Sequence, residues 1–142
     1  MKYSQAIEWA VCVLALLAAE RQMVTNEELN SRLQVSPSYL KKITRKLVVG
    51  DLIKSSYGSK GGFSLARDMK KISLYDLVDA IDGHEPFFCP TGLMEAVFPN
   101  RIKKVKLGKS LLANAFLDAQ NKLDAQMKKT TMAHLIAEVK RG

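Results

Sequence analysis

Residues 36–49 restrict the fold of this chain more than any other segment. Ser36 offers a side-chain cap and Pro37 the residue best suited to a first helical position, so a helix starts here. At about 100° per residue, Leu40, Ile43 and Leu47 fall on one side of it and Ser38, Lys41, Lys42 and Arg45 on the other. Gly50 stands where a left-handed terminating residue is expected. Upstream, Thr25 precedes Glu28 by three residues, the spacing of a reciprocal cap, and Leu29 and Leu33 give that helix a buried side. A short helix, a turn at Gln34-Val35, and a helix that is apolar inside and basic outside make a helix-turn-helix, whose second helix enters the major groove of DNA.

The flanking residues extend this plan. Residues 4–20 carry Ile7, Ala10, Val11, Leu14, Leu17 and Ala18 at helical steps. Residues 52–57 and 63–66 read as two strands joined by Gly58-Ser59-Lys60-Gly61-Gly62, a hairpin whose glycines let the backbone approach a phosphate chain while Lys60 reaches it. The four residues required between a glycine and Gly-Lys-Ser/Thr are absent, so this is no nucleotide loop. Ser73 and Asp76 form a second capping pair, and Leu74, Leu77, Val78 and Ile81 line a fourth helix ended by Gly83. The expected fold class is mostly α with a small β-hairpin wing: a winged helix-turn-helix followed by a long C-terminal helix.

Residues 84–108 hold three of the four prolines, Pro86, Pro90 and Pro99, and the basic run 101–104, so they read as a connector with a short helix near 93–98. In residues 109–129, Leu112, Phe116, Ala119, Leu123 and Met127 recur at steps of four, three, four and four. Only residues 131–139 follow that could cover this face, which makes a second copy of the chain the expected cover and the helix a dimerisation element. The expected organisation is residues 1–83 for DNA binding, 84–108 for a connector or sensor loop, and 109–142 for dimerisation.

Among the 142 residues, 22 Lys and Arg against 14 Asp and Glu leave a net charge of +8, which points to an anionic partner, double-stranded DNA first. The longest uncharged apolar run, residues 9–19, falls short of the roughly 20 residues a membrane span needs. Glu8 interrupts the approach that an export signal would require, and two cysteines make no disulfide framework, so the expected location is the cytoplasm. His84 and His134 lie far apart without ligand spacing to a cysteine, which argues against zinc. No nucleophile–base pair or cofactor motif is visible, and an enzyme is not expected. Trp9, Phe87 and Phe88 read as packing residues, the two phenylalanines alternatively as the wall of a small-effector pocket.

The start Met1-Lys2-Tyr3-Ser4, the segment Val35-Ser36-Pro37-Ser38-Tyr39-Leu40, the run Gly58-Ser59-Lys60-Gly61-Gly62-Phe63-Ser64-Leu65-Ala66 and residues 73–83 together resemble the Rrf2 family of bacterial regulators. The resemblance implies a dimeric winged-helix transcription factor, usually a repressor, on a palindromic operator. It implies DNA contacts from Ser38, Tyr39, Lys41 and Lys42 on the recognition helix and from Ser59, Lys60 and Gly61 on the wing, to which the residue chemistry adds Ser36 and Arg45. Family members that hold an iron–sulfur cluster do so on three cysteines in the connector. Here Cys89 matches the first position, Val105 stands near where the last is expected, and no other connector residue is cysteine. The three-cysteine site is incomplete, although Glu8 lies near where some relatives supply an acidic ligand, and no cofactor is expected.

Cys89 is the redox candidate, because Cys89-Pro90-Thr91 could open the short helix and a helix N-terminus favours the thiolate; the alternative is an inert, half-buried residue. Cys12, among apolar neighbours, is expected in the core. The alternative for the cations of the third helix is a solvated polar face, which the basic hairpin tip that follows them disfavours. Two other functions compete with DNA binding: an adaptor whose basic face meets an acidic protein, and a membrane-surface protein, whose cations would line one amphipathic helix instead.

Overall fold

The computed structural model describes residues 2–20 and 22–140. The chain forms two compact units, one running from Lys2 to His84 and resuming at Met127, the other Glu85–Gln126.

In the first unit, α1 (Ala6–Ala19) buries Ala10, Val13, Leu14 and Leu17. Cys12, expected in the core, is exposed. It lies about 160° around the helix from Ala10, across from the expected stripe, of which Ala10, Leu14 and Leu17 are buried. At the start of α2 (Asn26–Leu33) the Thr25 hydroxyl accepts the Glu28 N–H, so the Thr25 half of the expected reciprocal cap forms. Gln34, at φ 53°, makes the left-handed turn into α3 (Pro37–Val49), where the Ser36 hydroxyl accepts the Tyr39 N–H.

Helix α3 buries Leu40, Ile43, Thr44 and Leu47 and ends differently from expectation. Gly50 has φ −76°, and the left-handed residue is Asp51, at φ 61°. Glycine is needed at position 50 for space, since a Cβ there would lie 2.8 Å from that of Ala80 on α4 (Leu74–Asp82).

The wing pairs β1 (Ile53–Ser56) antiparallel with β2 (Gly62–Leu65), Ile53 opposite Leu65 and Ser56 opposite Gly62. Its base is stitched to the chain ahead of α2 by two bonds between Val24 and Phe63, of 2.9 and 2.8 Å. A 3-10 turn at Met69–Lys71 leads to α4, whose start carries the complete Ser73–Asp76 capping box and whose end is Gly83, at φ +78°.

The core of this unit is not finished by its N-terminal stretch. The Leu74 N–H donates to the Thr130 carbonyl and the Met132 N–H to the Ile72 carbonyl, and Met132 and Ile136 of α7 (Met132–Lys140) are buried among the helices of the winged domain. The unit therefore reaches beyond residues 1–83. The Lys128 ammonium also sits 4.6 Å from the centre of the Tyr75 ring, a cation–π contact that joins the same two stretches.

In the second unit, the short helix forms as α5 (Leu93–Val97), and α6 (Ile102–Lys129) starts at Ile102 rather than at Lys109. The basic run 101–104 is thus the helix start and not connector, because after Pro99 nothing up to Gly108 breaks a helix and Gly108 is tolerated inside it. The connector is fastened to α6 by Gln120, which is buried. Its side-chain oxygen accepts the Phe87 N–H and its amide donates to the Glu85 carbonyl, both at 3.1 Å. Phe88 stacks on Phe116 with ring centres 4.8 Å apart.

Of the residues expected on the dimerisation face, Leu112, Phe116 and Ala119 are exposed and Leu123 is half-buried. Met127 is only 6% exposed, so it is already used inside the single chain. Leu107, Leu111 and Leu117 are exposed as well, and at about 100° per residue they lie on other sides of α6 than the heptad-like stripe.

Candidate nucleic-acid interface

Two elements of the first unit form the site, and local chemistry fixes both. Helix α3 is amphipathic: its leucines turn into the core, and Ser38, Lys41, Lys42 and Arg45 are exposed on the other side. The wing ends in a tip closed by the Gly61 N–H on the Gly58 carbonyl. At Gly62, with φ +145°, a Cβ would stand 2.4 Å from the Val24 carbonyl oxygen, so only glycine lets the second strand pass that close to the segment before α2.

Between helix and wing lies an open groove of about 1110 Å³. Of the expected contacts, it brings together Lys41 and Arg45 from α3 with Ser59 and Gly61 from the wing. Ser36, Ser38, Lys42 and Lys60 are exposed outside its lining, and Lys42 shares with Arg45 a second, smaller groove toward α4. Lys41 and Arg45, one turn apart, can face phosphate oxygens or guanine edges on one wall, while main-chain groups of the glycine-rich tip can approach a backbone on the other.

Two expected contacts and the redox candidate are qualified by the structure. Tyr39 is half-buried against the core, its ring edge-on to that of Trp9, so its ring is bracing and only its hydroxyl end is free to meet DNA. The Ser36 hydroxyl is engaged in capping α3, which leaves its proton to donate. Cys89 does not open a helix, contrary to expectation: Gly92 stands at the N-cap position of α5, which begins at Leu93, so no helix N-terminus lies at the thiol. The Cys89 side chain is exposed in the second unit.

Two residues were not anticipated. Tyr57, next to Gly58, lines the groove with its side chain almost fully in solvent, and Glu27 on α2 puts a carboxylate in the same groove, where it can accept from a cytosine amino group. Nothing local marks Glu27.

A family profile described as "Rrf2: Iron-dependent Transcriptional regulator" matches residues 3–138. The chain belongs to the Rrf2 family. Two relatives in this family's mould span almost the whole chain, both provisionally named as HTH-type transcriptional regulators. YwgB of Bacillus subtilis (strain 168) is 34% identical over 141 residues, 98% of this chain and 86% of YwgB. YffB of Lactococcus lactis subsp. lactis (strain IL1403) is 35% identical over 140 residues, 97% of this chain and 88% of YffB. Among solved structures the fold matches CymR, the global cysteine regulator of B. subtilis, with a TM-score of 0.65 and 18% identity over 97% of this chain and 98% of that one. It also matches T. potens IscR, with a TM-score of 0.62 and 18% identity over 98% and 88%. The Rrf2 fold is a mostly helical winged helix, as this chain shows, and the family is one of DNA-binding transcriptional regulators rather than enzymes. Among the described residues no helix is long and apolar enough to cross a membrane.

The family is described as iron-dependent, and the residues present here do not fit an iron–sulfur cluster of the three-cysteine kind. The chain has two cysteines, on α1 and in the connector, and among the described residues no three His, Cys, Asp or Glu side chains come together as a metal would require.

Proposed function

We propose that this Rrf2 regulator is a sequence-specific repressor that acts as a homodimer on a palindromic operator and needs no iron–sulfur cluster. The observation that carries the reading is the exposure of Lys41, Lys42 and Arg45 on the side of α3 opposite its buried leucines, across a groove from a glycine-rich wing. Ser38, Lys41, Lys42 and Arg45 enter the major groove; Ser59, Lys60 and Gly61 grip the flanking backbone or minor groove. Support for the homodimer comes from Leu112 and Phe116, which stand one turn apart on one side of α6 and are exposed where a second α6 would cover them. Two-fold symmetry then sets the half-sites about 34 to 36 Å apart, one turn of the duplex. The signal enters through the connector, where the Cys89 thiol, exposed as that of Cys12 also is, can meet an oxidant.

Selection of bound duplexes from a random pool, with and without oxidant, tests the reading. A palindromic consensus with a salt slope of several phosphate contacts, at about −0.9 each, supports it. Binding indifferent to sequence, or an oxidant response unchanged by Cys89→Ser, removes the specific-operator or the thiol part respectively. Sedimentation of the wild-type chain as a monomer, the state expected only after Leu112→Glu, removes the dimer.

A further inference from the structure

Lys46 lies on α3 one turn from Lys42, and by residue type alone it belongs with the cations that meet DNA. Its ammonium is used elsewhere. The Lys46 Nζ donates to the Ile81 carbonyl at 2.8 Å, across 35 residues of sequence. That carbonyl is in the last turn of α4, where main-chain oxygens lack partners inside the helix and carry the negative end of the helix dipole. A lysine ammonium is the group such a position holds best, and a bond with a charged donor is stronger than one between neutral groups.

Two further contacts make this turn of α4 a fixed point rather than a loose end. Four residues along α3, Gly50 lies so close to Ala80 that a Cβ would reach 2.8 Å from the Ala80 Cβ, so the two helices touch at backbone distance. From the other direction, the Asp82 carboxylate accepts both the N–H and the hydroxyl of Ser4 ahead of α1. Ile81 itself is buried in the core.

We propose that Lys46 is a positioning residue: its bond to the Ile81 carbonyl, with the Gly50–Ala80 contact, fixes the rotation of α3 so that Lys41, Lys42 and Arg45 point at their base edges, and it makes no contact with DNA itself. The proposal rests on the DNA-binding reading above. Base recognition tolerates errors of only about 10–20° in the groups that make it, so a recognition helix free to roll loses specific contacts before it loses charge attraction.

The test uses the full chain and a duplex it selects from a random pool, with a scrambled duplex of equal length beside it. Lys46→Gln is expected to weaken the selected duplex about three- to tenfold. The scrambled duplex weakens less, and the slope of log affinity against log salt does not change. Lys46→Arg restores affinity, because a guanidinium can reach the same carbonyl. In the DNA-free protein, Lys46→Gln shifts the amide resonances of Asp82 and Gly83, which a solvated lysine would leave alone. Gly50→Ala, which removes no charge, gives the same selective loss and keeps the proposal testable if Lys46→Gln does not fold. A slope smaller by about 0.9 in Lys46→Gln makes Lys46 a phosphate contact and overturns the proposal. So does unchanged affinity in both Lys46→Gln and Gly50→Ala. Failure of the wild-type chain to bind any duplex overturns the DNA reading itself, a result distinct from either.

Discussion

The ring of Trp9 on α1 meets the ring of Tyr39 on α3 edge-on, with centres 6.4 Å apart and planes at 80°. The recognition helix is thereby braced near its N-terminus by an aromatic pair, a geometry that adds about 0.5–1.5 kcal/mol beyond the area it buries. Tyr39→Phe keeps the ring and is expected to melt within a degree or two of wild type. Tyr39→Ala loses the ring and about 1–3 kcal/mol, a fall of several degrees in a thermal scan. Equal melting temperatures for the two variants would show that the ring contributes nothing.

The exposed cations should behave oppositely. Replacing Lys41, Lys42, Arg45 or Lys60 with Gln changes stability by no more than about 0.5 kcal/mol, since their side chains are in solvent. Each one that meets a phosphate flattens the salt slope by about 0.9, whereas one that reads a base edge costs about 1–3 kcal/mol on the selected duplex and less on a scrambled one. Salt titration of the four single variants sorts them. A set with unaltered slopes and unaltered affinities would leave α3 and the wing as merely solvated surfaces.

At the wing base, Gly62→Ala forces a side chain into the Val24 carbonyl at a φ that L-residues rarely adopt. Strain of this kind costs of order 1–3 kcal/mol, and here the pairing of Val24 with Phe63 gives way first. Amide exchange at Val24 and Phe63 is expected to accelerate well before the rest of the core. Wild-type protection at both amides would contradict this.

The Glu95–Lys109 pair makes one part of the second unit sensitive to acid. The Lys109 ammonium, 2.7 Å from the carboxylate, holds the Glu95 carboxyl below its ordinary value. A carboxyl whose folded-state value is lowered contributes stability above the unfolded value and loses it as pH falls through the folded one. Docking of α5 onto α6 should therefore loosen below about pH 4.5, the unfolded range for a glutamate, and hold steady from there to neutrality. Amide exchange at Ala96 and Phe98, whose N–H groups bond within α5, reads this out. Glu95→Gln removes the pH dependence; its persistence in that variant would assign the effect to another group.

Much of the first unit was legible because short-range chemistry determines it. Ser36 with Pro37 and Ser73 with Asp76 set helix starts where the structure has them, and the 3.6-residue period alone separates Leu40, Ile43 and Leu47 from the cations of α3. Cys12 is exposed because apolar neighbours in sequence do not place a residue inside: it lies across α1 from the stripe of Ala10, Leu14 and Leu17, which is buried as the period predicts. Gly50 was right as a helix end and wrong in its reason, which is the approach of Ala80 thirty residues later. The start of α6 was hidden because Lys103 and Lys104 at a helix N-terminus oppose the dipole, an arrangement that local rules steer away from. Lys46 was illegible for a plainer reason: its partner is a main-chain carbonyl, and every residue has one.

The return of Met132 and Ile136 to the helices of the winged domain carries a consequence for how the protein is made. During synthesis residues 2–84 emerge before Met132 and Ile136, the side chains that complete their core. A fragment ending at His84 would lack two buried members of its own core, so the DNA-reading part is not a detachable module.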